Sequence, residues 1–465
     1  MPEKYHIKTQ PVPPRRPRIG KHGVVDWRED CARCHNCVKK ACVYDRYRQE
    51  SDYIRQLSDV DALFFDCMGC FSCVQDCTKG LLCLSINPEY EKLGNSYWKP
   101  DIIKTTWLQA ETAKIPVSGA GYRGPFSGHG FDSMWTDMSE IVRPTRDGIH
   151  GREYISTSVD IGRKPAFLSM EGSRMVSTLP PLVSIPMPLI IDLSSPLHTL
   201  PPLDHIIAKT ATCTDLIAIM DSRYRPENEA NLHNIAFYLG PDSRPVPKEI
   251  LQKTRLVEIA DSKTVCEQIK ELKKQHPEIV VAVRVDLNAS GISRAIDLAD
   301  LEEIEVIHVV ADPNGNEIGA EKPRFIKDMI RQIHTSLIER GTRDEVTLMA
   351  GGGIALPEHM AKAIICGTDL ITINLPLMIA LECHLCASCK PGMPCPARLE
   401  TIDTAYGVGR MTNIIAAWHD QLIEVMGAMG MREVRRLRGD VGRAMFFENL
   451  EEETFGKLFG TKNRA

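Results

Sequence analysis

The sequence reads as an α/β protein: a closed (β/α)8 barrel, with a cysteine-rich module ahead of it and a helical segment behind it. From Pro188 onward, short β-branched runs alternate with amphipathic stretches, the pattern of repeated βα units. Eight such runs can be counted, the strand number at which a parallel sheet of this kind closes on itself. Twelve of the sixteen cysteines gather in three tight groups, two ahead of the runs and one directly after the eighth.

Residues 1–95 form the cysteine-rich module. Its two groups are Cys31-x2-Cys34-x2-Cys37-x4-Cys42 and Cys67-x2-Cys70-x2-Cys73-x3-Cys77. Three thiolates at this step wrap one cubane, while the fourth cysteine of each run reaches the other cluster, as in paired bacterial ferredoxin motifs. Cys31, Cys34, Cys37 and Cys77 are therefore expected to hold one 4Fe-4S cluster, and Cys67, Cys70, Cys73 and Cys42 the other. A disulfide framework or zinc sites fit less well, because tetrahedral zinc pairs two CxxC knuckles and leaves the third cysteine without a role. Neither run closes in Cys-Pro, since Val43 follows Cys42 and Thr78 follows Cys77. Cys83 is read as a small buried hydrophobe.

Residues 96–175 connect the module to the barrel and lead into it, with an irregular Gly/Pro/Ser-rich stretch over 115–130. The barrel is expected over 176–400, with strands at 189–193, 216–220, 235–239, 256–260, 279–285, 306–311, 346–350 and 370–374. Helical spacing marks 262–275, 294–303, 324–339 and 358–366 between them. The third and fourth units are short and weakly helical, which leaves an open doubly wound sheet as the structural alternative. Residues 401–465 form a helical cap, with helices expected at 411–429 and 432–443, broken at Gly427 and Gly430. Its methionines are read as core.

With 465 residues, 43% hydrophobic and 25% charged, the chain has room for two or three domains and a large core. A net charge of -5 supplies no basic footprint for nucleic acid, and Arg15-Arg16-Pro17-Arg18 reads as a solvated arm. Residues 1–21 lack the apolar core of a signal peptide. The most apolar stretch, 179–193, is too short and too broken by Pro180, Pro181, Pro186 and Pro188 to span a bilayer. Cluster thiolates persist in a reducing compartment. A cytoplasmic protein without a direct membrane span is expected.

In such a barrel, reactive groups sit at the C-terminal ends of the strands, and phosphate commonly binds after the seventh and eighth. The seventh run ends in Gly351-Gly352-Gly353 just ahead of a helix near Pro357, where backbone amides and the helix's positive end suit an anion. A purely steric turn is the plain alternative. The fifth run places Arg284 among Val281, Ala282, Val283, Val285 and Asp286. Either it steadies negative charge on a reduced flavin or it pairs with a nearby Asp or Glu. Ser194-Ser195 after the first strand and Asp312-Pro313-Asn314-Gly315-Asn316 after the sixth either line a pocket or turn the chain. Beyond the eighth, Cys383-x2-Cys386-x2-Cys389-x5-Cys395-Pro396 suits a third iron-sulfur cluster.

In this order the motifs resemble the FMN-binding synthase domain of glutamate synthase, in its short archaeal-type architecture with an appended ferredoxin module. The resemblance runs from about Arg143 to Arg443. It rests on Val281-Ala282-Val283-Arg284, on Gly351-Gly352-Gly353, and on Cys383 to Cys395-Pro396. The segment Arg143-Pro144-Thr145-Arg146-Asp147-Gly148 through Ser156-Thr157-Ser158 also resembles the lead-in of related FMN proteins. The resemblance implies an FMN barrel, with Ser194, Arg284, Gly351, Gly352 and Gly353 at the cofactor. Departures from the family are equally specific. Arg284 stands where the family has lysine. The family's three cysteines, which hold a 3Fe-4S cluster, become Cys383, Cys389 and Cys395 with Cys386 added, so a 4Fe-4S cluster is implied. Glycine-rich loops of the family are replaced by Ser194-Ser195-Pro196 and Asp312-Pro313-Asn314-Gly315, and the eighth strand ends Asn374-Leu375-Pro376.

Two functions follow. The first is an iron-sulfur flavoprotein oxidoreductase of glutamate synthase type, passing electrons from a ferredoxin-type donor through 4Fe-4S clusters to FMN, where an imine or similar acceptor is reduced. The second is a non-catalytic electron-transfer subunit of a multi-subunit redox complex, its flavin site degenerate. No glutaminase nucleophile is expected on a chain beginning Met1-Pro2, and no GxGxxG follows a predicted strand to bind NAD. Electrons are therefore expected from another protein.

Overall fold

A computed structural model describes residues 5–16, 19–25, 34, 43, 70–81, 83–115, 126–136, 155–176, 179–194, 201–225, 229–241, 243–386, 395–456 and 458. The expectations placed on Cys31, Cys37, Cys42, Cys67, Cys389 and Ser195 lie outside the described residues.

Eight parallel strands close into a barrel: β1 (Leu189–Leu193), β2 (Ala218–Asp221), β3 (Ile235–Leu239), β4 (Leu256–Ala260), β5 (Val280–Asp286), β6 (Val306–Val310), β7 (Thr347–Gly351) and β8 (Leu370–Ile373). Each pairs with its sequence neighbour, and β8 returns to β1 through Ile371↔Leu189 and Ile373↔Ile191. Closure removes the sheet edges that the open doubly wound alternative would have kept. The strands are apolar along almost their whole length because both faces are covered, one by the barrel interior and one by helices.

The helices around and behind the barrel include α1 (Pro201–Thr214), the single turn α2 (Lys248–Leu251), α3 (Val265–Gln275), α4 (Gly291–Ala299), α5 (Ile326–Glu339), α6 (Pro357–Cys366), α7 (Leu375–Ala380) and α8 (Thr404–Ala428). Among the described residues between β2 and β3, a 3-10 turn, Glu229–Asn234, stands where a helix would be. In α5 the buried face is Ile326, Met329, Ile330, Ile333 and Leu337, the three-and-four spacing of an amphipathic helix. Pro357 opens α6 at a position where a missing N–H costs nothing, and Gly367 ends it with a positive φ of 127°. Asp403 caps α8 by accepting the Tyr406 N–H at 2.9 Å. Met411, Met426 and Met429 are buried, as core residues should be.

Helix α8 runs through Gly427 to Ala428, so Gly427 does not break it. Residues 432–443 are not the helix that their spacing suggests. They form two 3-10 turns, Val434–Leu437 and Val441–Arg443, because Gly430 and Gly439 turn the chain with positive φ and Glu433 pairs with Ser156 as a β-bridge.

Two compact units are distinguished: Pro13–Thr105 with His384–Ser388, and the remainder. Within the smaller unit, strands His22–Val25 and Cys83–Ile86 pair antiparallel. Trp98 and Tyr90 form buried packing there, and Asn87 donates to Gly20 O at 3.0 Å. Within the larger unit, the antiparallel pair Val159–Ile161 and Val183–Ile185 covers the end where the barrel strands begin, tied by Thr347 Oγ1 to Gly162. Among the described residues no helix is long and apolar enough to cross a membrane.

Candidate functional site

The strand order brings one polar residue from each of several apolar strands into the barrel interior. Arg284 on β5 is the centre. Its Nη2 lies 2.8 Å from Asp192 Oδ2 on β1 and 2.8 Å from Glu258 Oε2 on β4, and its Nε donates to the same Glu258 oxygen at 3.0 Å. Its Nη1 donates to Ser194 Oγ, which in turn donates to Asp192 Oδ1 at 2.7 Å. The other Glu258 oxygen meets His308 Nδ1 on β6, and His308 Nε2 lies 2.9 Å from Thr372 Oγ1 on β8. The Arg284 guanidinium also sits 4.7 Å above the Tyr238 ring of β3.

This is a buried network. Glu258 and His308 are fully buried, and the Arg284 side chain keeps 12% of its exposure. Burial alone would push the Asp192 carboxyl up, but the charges of Arg284 and His308 and the hydrogen bonds from Ser194 and Arg284 hold it at about 2. Burial opposes the charge on Arg284, and the two carboxylates overcome it and raise its pKa. Burial raises the Tyr238 phenol in spite of the nearby guanidinium. Of the two readings of Arg284, the structure realises the ion pair with neighbouring acids.

Gly351-Gly352-Gly353 ends β7 at the barrel mouth, as the sequence indicates. Gly352 has a φ of +98°, and a Cβ on it would stand 2.7 Å from Asp312 O. A Cβ on Gly353, at φ +67°, would stand 2.5 Å from Gly315 Cα. The glycines are therefore required by the close approach of the loop after β6. That loop is a self-contained turn, in which Asp312 Oδ1 accepts the N–H groups of Asn314 and Asn316 at 2.9 and 2.7 Å. In the first turn of α6, Glu358 is buried and its Oε2 has no hydrogen-bond partner. A carboxylate there already complements the positive end of the helix that a phosphate would use.

Arg284, which the family resemblance places at the cofactor, directs its Nε, Nη1 and Nη2 to Glu258, Ser194 and Asp192 in this structure. Two buried carboxylates face one guanidinium, a setting that disfavours an added anion. Among the described residues, no buried side-chain polar atom of this network lacks a partner that a cofactor would supply. Asp192, Glu258, His308 and Thr372 are not singled out by the sequence reading. The signal was a lone charged or polar residue in each otherwise apolar strand.

The donor chemistry of the cysteine module fits iron-sulfur ligation. Cys70 and Cys73 flank the left-handed Phe71 at the start of a one-turn helix, Ser72–Gln75. Hydrogen bonds from the Ser72 side chain and backbone lower the Cys70 thiol toward thiolate, and the Leu81 N–H donates to Cys77 Sγ at 3.3 Å. Such N–H···S bonds are among the levers that set cluster potentials. Cys34 is exposed. After the barrel, left-handed Glu382 and Leu385 turn the chain beside Cys383 and Cys386, while Cys395 opens the path to α8. Among the described residues no three His, Cys, Asp or Glu side chains are gathered as a metal site.

Residues 247–432 match the family model described as a conserved region in glutamate synthase. The archaeal-type glutamate synthase [NADPH] of Dehalococcoides mccartyi is 24% identical over 90% of this chain and 93% of its own length. The chain is similar to the archaeal-type glutamate synthases over most of its length. The archaeal glutamate synthase [NADPH] of Methanocaldococcus jannaschii is 23% identical over 89% of this chain and 92% of its own. Among solved structures, a mutant flavocytochrome b2 with pyruvate bound matches at a TM-score of 0.45 and 12% identity, covering 78% of this chain and 92% of that one.

Proposed function

We propose that this chain is an iron-sulfur electron-transfer protein of glutamate synthase type. It takes electrons from a ferredoxin-type donor into two 4Fe-4S clusters held by Cys31, Cys34, Cys37 with Cys77 and by Cys67, Cys70, Cys73 with Cys42. A third cluster at Cys383, Cys386, Cys389 and Cys395 passes them to other subunits of a redox complex, in the reducing cytoplasm where thiolate ligands persist. One observation favours a carrier over a self-contained flavoenzyme: the guanidinium of Arg284 is paired with Asp192 and Glu258.

A second reading is the FMN-dependent oxidoreductase that reduces an imine or similar acceptor. It draws on the position of Gly351-Gly352-Gly353 at the end of β7, directly ahead of α6, and on the similarity to glutamate synthases [NADPH]. Titration of the anaerobically purified protein with FMN, followed by quenching of flavin fluorescence, separates the two. The carrier reading expects no saturable quenching at micromolar FMN. Stoichiometric quenching would establish the flavoenzyme instead.

A further inference from the structure

At the end of the barrel opposite the mouth lies a cavity of about 810 Å3 that the electron path does not use. Its place in the fold is fixed by three contacts. Val434 N–H donates to Ser156 O at 2.9 Å, Thr157 Oγ1 donates to Pro186 O at 2.7 Å just before β1, and Arg438 meets Asp369 at 3.0 Å just before β8. Arg432, Arg436 and Arg443 line it, together with Ser156, Glu433 and Asp440.

The arginines of this segment divide by role. Arg438 is spent on Asp369 and Asp344, and Arg435 on Glu433 and Asp160, which fixes the two 3-10 turns to the barrel. Arg436 touches a carboxylate only loosely, with Nε 3.7 Å from Glu433. Arg443 Nη2 is buried and has no hydrogen-bond partner. An unmade bond on a buried guanidinium nitrogen is costly, and an oxyanion would relieve it. Three guanidinium groups line the cavity against two carboxylates, and one of these, Glu433, is already engaged by Arg435. Planar guanidinium forks suit carboxylate and phosphate oxygens, and the volume falls within the range of small-ligand sites.

We propose that this cavity binds a small molecule carrying two oxyanion groups, phosphate or carboxylate, at a site separate from the barrel mouth. Arg443 and Arg436 take the oxyanions, and Asp440 accepts a hydrogen bond from a protic group of the ligand. Its position at the strand-start end, away from the chemistry-bearing face, makes the ligand an effector or structural anion rather than a redox substrate.

The test is isothermal titration calorimetry on the anaerobically purified full chain, at low salt, with inorganic phosphate, pyrophosphate, 2-oxoglutarate and L-glutamate as probes. Saturable binding of at least one probe at ~1 mM or tighter is expected. Arg443→Gln and Arg436→Gln should each weaken it about tenfold. Preference for the phosphates or for the dicarboxylates identifies the oxyanion. If glutamate exceeds 2-oxoglutarate, Asp440→Asn should abolish that difference. The idea fails if no probe binds saturably, or if binding survives unchanged in the Arg436→Gln variant, whose exposed side chain can be replaced without unfolding the protein. Iron content read on the same samples keeps this outcome separate from that of the electron-transfer reading.

Discussion

Replacing Arg284 with methionine removes the cation that holds two buried carboxylates together at the heart of the barrel. Its bonds to Asp192 and Glu258, at 2.8 and 2.8 Å, leave those side chains 9% and 0% exposed, so neither carboxylate can turn to water when the arginine is gone. Breaking one partner of such a buried group costs about 3–5 kcal/mol. At about 2–4 °C per kcal/mol for a domain of barrel size, the thermal midpoint should fall by roughly 6–20 °C at pH 7. The deficit should depend on pH in a definite direction. In the native protein the Asp192 carboxyl is held at about 2, below its ordinary value near 3.9, so its contribution is present above ~3.9 and is lost as pH falls toward 2. Without Arg284, burial drives the Asp192 carboxyl to take up a proton above that range, and the protonated form no longer needs a counter-ion. The variant's deficit should therefore be largest near pH 7 and shrink toward pH 4.5. Thermal denaturation followed by circular dichroism under anaerobic conditions measures it. A midpoint within ~2 °C of the parent at pH 7, or a deficit equal at both pH values, would refute the network. Adding Asp192→Asn to Arg284→Met should recover part of the loss, a non-additivity that contacting residues show.

Gly353→Ala places a Cβ 2.5 Å from Gly315 Cα and should destabilise the barrel more than Gly319→Ala, where the same left-handed backbone faces open space; equal chemical-denaturation midpoints would show that the two loops do not press together. His419 is held at about 4 by burial and by the charge of His6, so between pH ~6.5 and 4 the unfolded chain takes up a proton that the folded one refuses. Stability should fall as pH is lowered through that window, and His419→Gln should flatten the slope; an unchanged slope would remove His419 from the account. If the proposed crossed ligation holds, with Cys77 the fourth ligand beside Cys31, Cys34 and Cys37, Cys77→Ser should cost about four iron atoms, and retention of the full iron content would show that Cys77 holds none.

Most of the barrel was legible because its strands are buried on both faces and read as continuous apolar runs. β1, β3 and β4 begin and end where the sequence places them. β2 starts two residues later than expected, at Ala218, because Leu216 is still bound to the end of α1 through the Ala211 carbonyl. The segment 432–443 misleads because its apolar spacing is helical while its glycines and its bridge to Ser156 are tertiary facts. The network of Arg284 was half legible. A lone arginine in a run of valines demands a partner, and Asp192 and Glu258 stand out in their own strands. Which of them it meets depends on barrel closure, which joins residues 92 and 26 positions apart. The glycine run was located correctly, while its purpose depends on the loop after β6 packing against it.

The central claim, that this chain is a carrier built on three clusters, is tested most directly by the cofactor content of the anaerobically purified protein. Iron and acid-labile sulfide are assayed on one sample with released flavin. The account predicts about twelve iron atoms per chain, as three cubanes require, and no flavin. Eight iron atoms or fewer would contradict the third cluster, and one FMN per chain would contradict the carrier reading.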